Sequence, residues 1–233
     1  MIHMIQDVIL VEREFDEQIT KGLRDRTLCK LGYGTGLGVD PIILGRLDEA
    51  LDTTTRVARL KGIYQVLPVL GTGKSGVETK AGVIHSEMFT RLVHTCSGKT
   101  SIAFMIATIG EELEEIGRAR SLVFEQLVYD TAGSELAEMM ADLLEAHCRE
   151  KADDSGLQLS SRFSPGYCDW SLEGQQVIFA SLDAGLINVR LTSKLVMVPN
   201  KSVSAIAVVA EEMPVTVPCA LCPSEDCPWR RSP

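Results

Sequence analysis

Lys99-Thr100-Ser101-Ile102-Ala103-Phe104-Met105-Ile106-Ala107-Thr108, closed by Ile109-Gly110 and followed by the acidic run Glu111-Glu112-Leu113-Glu114-Glu115, is the stretch on which the fold turns. Its first ten residues are β-branched and apolar enough for a buried strand. Gly110 ends that strand. Acidic side chains complement the positive end of a helix dipole, which predicts a helix from about Glu111 into Gln126. Farther on, Leu136, Met140, Leu143 and His147 recur at helical spacing after Ser134, which reads as a cap, and Glu138, Asp142 and Glu145 fall on the opposite side. This predicts an amphipathic helix of about four turns.

Upstream, Gln6 to Val11 reads as a short strand and Phe15 to Leu31 as an amphipathic helix ending in glycine. Gly32, Gly34, Gly36 and Gly38 form a loop, and Pro41 opens a second helix to about Val57. No βαβ unit surrounds these glycines, so they read as a helix-to-helix connection rather than a dinucleotide loop. Gly73-Lys74-Ser75 and Gly98-Lys99-Thr100 end like phosphate loops, but the required first glycine falls on Pro68 and Val93. Both read as polar turns. Downstream, Asp153 to Ser161 is a polar connection, Glu173 to Leu182 a helix, and Leu191 to Val198 and Val203 to Ala210 two strands joined at Pro199-Asn200-Lys201. Helices and strands mix without βαβ alternation. The expected fold is therefore a single α+β domain over residues 1–213, a largely antiparallel sheet flanked by helices, with a Pro- and Cys-rich tail at 214–233.

The chain has 233 residues, 45% of them apolar, and a formal net charge of −9. Such an acidic chain, without a dense Lys/Arg stripe, repels a phosphate backbone, so nucleic acid is not an expected partner. Runs such as Ile102 to Ile109 fall far short of the roughly 20 residues of a membrane-spanning helix, and the Glu-rich N-terminus does not resemble a signal peptide. The expectation is a soluble, cytoplasmic protein.

Seven cysteines divide into the scattered Cys29, Cys96, Cys148 and Cys168 and the close-set Cys219, Cys222 and Cys227. An odd count without a secretory signal argues for reduced thiols or a metal site. The last three bring soft ligands together on a loop stiffened by Pro218, Pro223 and Pro228. They are expected to hold an iron–sulfur cluster or zinc, with Cys168, a partner or an exogenous molecule as fourth ligand; the bland reading is a reduced, metal-free tail. His3, His85, His94 and His147 lack metal-ligand spacing and read as structural.

Arg162-Phe163-Ser164-Pro165-Gly166-Tyr167 resembles the Arg-x-x-x-Gly-Tyr signature of the cobalamin-dependent methionine synthase activation domain. Gly185 to Thr192, Met197-Val198-Pro199 and Lys201-Ser202-Val203-Ser204 are similar to the blocks that follow it, and Thr108 to Leu113 and Asp130 to Arg149 to blocks that precede it. The likeness covers roughly Ser101 to Ala210 and is weaker in the N-terminal helices. The resemblance implies a stand-alone S-adenosylmethionine-binding protein for the reductive methylation of a cobalt(II) corrinoid. In it Arg162 takes the methionyl carboxylate, the Ser164 backbone meets adenine, Gly166 permits close approach, Tyr167 lies against the ligand and Glu138 stands near the site. The family's N-terminal acidic residue for the methionyl amine has no clear match.

The residue types are right for that ligand without the family. Arg162 can hold a carboxylate bidentately, Pro165-Gly166 allows a tight turn, and Tyr167 offers a ring face and a hydroxyl. None of the four histidines lies in the corrinoid-binding pattern Asp-x-His-x-x-Gly. The implied partners are therefore a corrinoid protein or a methionine synthase without its own activation domain, with a flavodoxin or ferredoxin as electron donor. Two other readings remain: a non-catalytic adenosylmethionine-binding docking module, and an iron–sulfur electron carrier to a corrinoid protein.

Overall fold

The computed structural model describes residues 8–34, 38–74 and 76–214. The elements in chain order are β1 (Ile9–Arg13), α1 (Glu17–Lys30), α2 (Pro41–Val57), β2 (Leu60–Thr72), β3 (Val77–Thr79), β4 (Gly82–Ile84), α3 (Glu87–Thr95), β5 (Ser97–Thr108), α4 (Glu112–Arg118), α5 (Val123–Asp154), β6 (Gln158–Leu159), α6 (Gln175–Ser181), β7 (Arg190–Leu191), β8 (Met197–Val198) and β9 (Ser202–Glu212). Seven of the strands form one sheet in the order β4-β3-β2-β5-β9-β6, with β1 also on β2. Every pairing in it is antiparallel. The α+β domain with an antiparallel sheet that the sequence implies is the fold observed.

Period-two alternation along β5 divides the core. Ala103, Met105 and Ala107 join Tyr64, Val66, Ala207 and the helical residues Leu23, Leu47, Leu136, Met140 and Leu144 on one face. Ile102, Phe104 and Ile106 join Ile63, Ile206, Val208, Phe89, Phe163, Trp170 and Ile178 on the other. On the first of these faces Ala103, Ala107 and Ala207 leave room for α5 to lie close. At Gly62 a Cβ would stand 2.9 Å from Leu144 Cδ1 and 3.2 Å from Met140 Cε, and both of those side chains are buried. Gly62→Val is therefore expected to overpack this contact and lower stability by about 1–3 kcal/mol, read from urea denaturation.

Local capping explains several helix starts. Asp16 Oδ1 accepts from the Ile19 amide at 2.7 Å, Asp40 Oδ1 from Ile42 at 2.7 Å with Pro41 at the first helical position, and Ser86 Oγ from Phe89 at 3.0 Å. The two N-terminal helices thus fall where the sequence places them, joined across the glycine loop, of which 35–37 lie outside the described residues.

Several local expectations are corrected. The helix expected from Glu111 into Gln126 breaks after Arg118, and α5 runs unbroken from Val123, so Ser134 does not cap. Gly117 allows α4 to fold back on α5, because a Cβ there would meet Tyr129 Cβ at 2.9 Å. Ser134 Oγ instead donates to the Asp130 carbonyl one turn back, a bond that lets serine sit inside a helix. Burial of Val128, Tyr129 and Ala132 before Ser134 and of Leu136 after it carries the helix through the capping signal.

The strand expected at Leu191 to Val198 is two short strands, β7 and β8, paired with each other. Thr192 closes the turn between them: its amide donates to Val196 O at 2.9 Å and its Oγ1 accepts from the Val196 amide at 3.0 Å. This local bonding competes successfully with extension of the chain. The helix expected over Glu173 to Leu182 opens as a 3-10 turn, Leu172–Gly174, before α6. Gly98-Lys99-Thr100, expected as a turn, lies within β5 at a register shift against β9, with Gly98 at φ +74°.

Candidate functional site

On α5 the carboxylates of Glu138, Asp142 and Glu145 share one face, because residues four and seven apart on a helix line up. The chain leaves α5, forms β6 and continues along the outer edge of β9. Ser160 N donates to Val208 O at 2.9 Å, and Phe163 exchanges both backbone bonds with Ile206 at 2.7 and 2.8 Å. Neighbouring residues of an extended segment point to opposite sides. Phe163 enters the core on the Phe104 face of the sheet, stacked 5.9 Å from Phe89 and 5.5 Å from Trp170. Arg162 turns the other way, toward α5.

The Arg162 side chain is 5% exposed and sits beneath three carboxylates. Its Nη2 donates to Glu138 Oε2 at 2.5 Å, and its Nη1 to Asp142 Oδ1 at 2.5 Å and Glu145 Oε2 at 3.3 Å. Two further arginines continue the network: Arg26 Nη2 donates to Asp142 Oδ2 at 2.8 Å and Arg149 Nη2 to Glu145 Oε1 at 2.9 Å. Glu138 and Asp142 are 47% and 41% exposed, so the acidic rim faces solvent while the cation lies under it. A plain anion meets that rim before it meets the guanidinium. A ligand carrying both a cation and an anion satisfies both layers.

Burial alone would raise the Asp142 carboxyl, but the hydrogen bond and charge of Arg162, joined by those of Arg26, hold it below the ordinary carboxylate range. Burial likewise works against the Arg162 guanidinium, and Asp142, Glu138 and Glu145 more than restore it, so it stays charged. A depressed folded-state carboxyl stabilises the fold above its unfolded value of about 4, and that contribution is lost as pH falls through the folded value. The stability gap between the wild type and Asp142→Asn, measured by urea denaturation, is therefore expected to be constant near neutrality and to close progressively below about pH 4.

The loop after Arg162 is fixed by its own backbone. Gly166, at φ +88°, donates from its amide to Trp170 O at 2.8 Å, and Trp170 N donates to Tyr167 O at 3.1 Å. That positive φ is where glycine is favoured. Asp169 ties the turn to α3, accepting from Ser86 Oγ at 2.7 Å and the Met88 amide at 3.0 Å. Ser164, Gly166 and Tyr167 thus lie in one turn, with Tyr167 53% exposed and Cys168 exposed beside it. Trp170 is buried and acts in packing.

The structure brings Arg162 and Glu138 into direct contact. Sequence reasoning missed Asp142 and Glu145 as partners of Arg162, and also Arg26 and Asp169. The spacing 138, 142, 145 was a usable signal for the first two; nothing in the sequence marked the others. Cys219, Cys222 and Cys227 lie outside the described residues, among which no group of three or more potential metal ligands is found.

A separate cavity of about 390 Å³ lies between α4, the start of α5 and the turn before β9, lined by Leu113, Val123, Leu127, Tyr129, Asp130 and Lys201 among others. Its charges pair within the chain: Lys201 Nζ reaches Asp130 Oδ1 at 2.5 Å, and Glu114 is held by Arg118 and by Asn200 Nδ2 at 2.6 Å. Concavity favours this hollow, whereas the half-exposed charged face favours the Arg162 loop. For a zwitterionic ligand the charged face is the better fit.

No helix among the described residues is long and apolar enough to cross a membrane. No protein-family model matches the chain, and no curated protein matches it. Among solved structures it is similar to the MetH reactivation domain bound to AdoHcy, with a TM-score of 0.61 and 16% identity, covering 88% of this chain and 78% of that one. This chain has the fold of the MetH reactivation domain.

Proposed function

We propose that this chain binds S-adenosylmethionine at the Arg162 loop and serves the reductive methylation of a cobalt(II) corrinoid carried by a separate protein. The observation that carries the reading is the shared fold with a reactivation domain bound to AdoHcy, taken with a guanidinium under an acidic rim on the loop that bears the Arg-x-x-x-Gly-Tyr signature. Arg162 takes the methionyl carboxylate and Glu138 receives the ammonium. The Ser164 backbone meets adenine, Gly166 lets the ligand approach, and Tyr167 lies against it.

In the reaction one electron from a flavodoxin or ferredoxin reduces cobalt(II) to cobalt(I). Cobalt(I) then attacks the sulfonium methyl carbon, the carbon–sulfur bond breaks, a cobalt–carbon bond forms, and S-adenosylhomocysteine leaves. This step needs no proton transfer from the protein. The chain holds the methyl donor in line with the metal, and such orientation can supply a large part of the rate enhancement. Cys219, Cys222 and Cys227, with Cys168, a ligand from a partner or an exogenous molecule as the fourth, are proposed to hold an iron–sulfur cluster, in preference to zinc; iron and zinc analysis of anaerobically purified protein tests this.

The direct test is anaerobic incubation of the chain with cobalt(II) corrinoid proteins, a reduced flavodoxin and S-adenosylmethionine. Methylcobalt and S-adenosylhomocysteine should form in equal amounts and only when the chain is present. If the ligand binds but no corrinoid protein is methylated, the chain is a docking module and the reaction assigned here is wrong.

A further inference from the structure

The three carboxylates on Arg162 are not equivalent. Asp142 and Glu145 both accept from Nη1, and each is also held by a second cation, Asp142 by Arg26 and Glu145 by Arg149. Glu138 takes Nη2, is the most exposed of the three, and among the described residues pairs with Arg162 alone. It is therefore the carboxylate that can leave without abandoning a second cation.

An α-amino acid head brings both charges that such a departure needs. Its carboxylate can occupy the place of Glu138 on Nη2, and the released Glu138 can accept from its ammonium. Every charged group then keeps an opposite partner, so no carboxylate is left uncompensated. A ligand with the carboxylate but no ammonium displaces Glu138 and gives it nothing in return.

We propose that Glu138 is an exchangeable occupant of the Arg162 Nη2 position and thereby the residue that selects ligands bearing an α-amino acid head. Asp142 and Glu145 hold Nη1 throughout the exchange. Selection comes from a penalty on the wrong ligand as well as from attraction to the right one. This inference rests on the adenosyl ligand proposed above and assigns the basis of its selectivity.

The test is calorimetric titration of S-adenosylhomocysteine and of its des-amino analogue, in which hydrogen replaces the amine. The proteins are the wild type, Glu138→Gln and Glu138→Asp, with thermal unfolding as the check on folding. Wild type should prefer the amino ligand. In Glu138→Gln the preference for the amino ligand should narrow by about 10-fold: the des-amino analogue binds more tightly, because no anion competes for Arg162, whereas S-adenosylhomocysteine gains little from that release because it loses the charge-assisted bond to its ammonium. Glu138→Asp should retain the wild-type preference. A Glu138→Gln protein that keeps the wild-type preference, or that binds the des-amino analogue no more tightly than wild type, overturns the exchange while leaving the binding reading intact. Absence of S-adenosylhomocysteine binding to folded wild type overturns the binding reading itself, and the exchange with it.

Discussion

Arg162→Ala is expected to weaken S-adenosylhomocysteine binding by roughly 10- to 100-fold, the equivalent of one charge-assisted hydrogen-bonded pair worth about 1.5–3 kcal/mol. Calorimetric titration measures it. The substitution removes the cation that the ligand carboxylate needs and also leaves the acidic rim of Glu138, Asp142 and Glu145 without its central counter-charge. Carboxylate binding is then opposed as well as unsupported. Arg162→Lys should not restore affinity. A single ammonium cannot reproduce the planar fork that places Nη1 on Asp142 and Nη2 on Glu138. Unchanged affinity in a folded Arg162→Ala protein would remove the loop from the binding site.

Phe163→Ala should have the largest effect on stability of any change in this loop, lowering it by about 3–5 kcal/mol. For a domain of this size that corresponds to a fall in melting temperature on the order of 10 °C, read by calorimetry or circular dichroism. Phe163 is buried and lies in a stack between Phe89 of α3 and Trp170, so its loss opens a cavity bounded by two rings that backbone bonds hold in place. Because the residue alternates with Arg162 along the edge of β9, ligand affinity should fall too, without any contact between ring and ligand. Tyr167→Ala is the contrast. That ring is half-exposed, and its removal should change stability by no more than about 0.5 kcal/mol. A Phe163→Ala protein that melts within a degree or two of wild type would mean that the loop is not anchored by this stack.

The sequence is most legible where local chemistry decides the outcome. Pro41 with its Asp40 cap starts α2 where expected, and the β-branched run that precedes Ile109-Gly110 lies in the middle of the sheet as β5. The motif loop is legible for the same reason, since Gly166 takes the positive φ that its identity permits. Expectations fail where a distant partner decides. The Ser134 signal is a good cap in isolation, and it loses to the burial of α5 residues on both sides of it. Gly117 looks like an ordinary helical glycine until Tyr129 is seen against it.

The same division holds at the site. Glu138, Asp142 and Glu145 were visible as one polar helix face, and a polar face is ordinarily solvated. What the pattern lacks is the return of the chain along β9, which brings Arg162, 17 to 24 residues later in the chain, under that face. Arg26 belongs to α1, 116 residues before its partner Asp142, so no local pattern joins them. The N-terminal acidic residue of the resemblance has no match in this sequence, and in the proposed reading Glu138 of α5 takes its place at the ligand ammonium.

In the proposed site an α-amino acid head, attached to an adenosyl group, is held between Arg162 and Glu138. A crystal structure of the chain grown with S-adenosylhomocysteine measures this most directly. The ligand carboxylate is expected on Arg162 Nη2, with Glu138 turned to the ligand ammonium and the adenosyl group along the Ser164 to Tyr167 turn. Ligand bound instead in the cavity between α4 and α5, with the Arg162–Glu138 pair undisturbed, would contradict it.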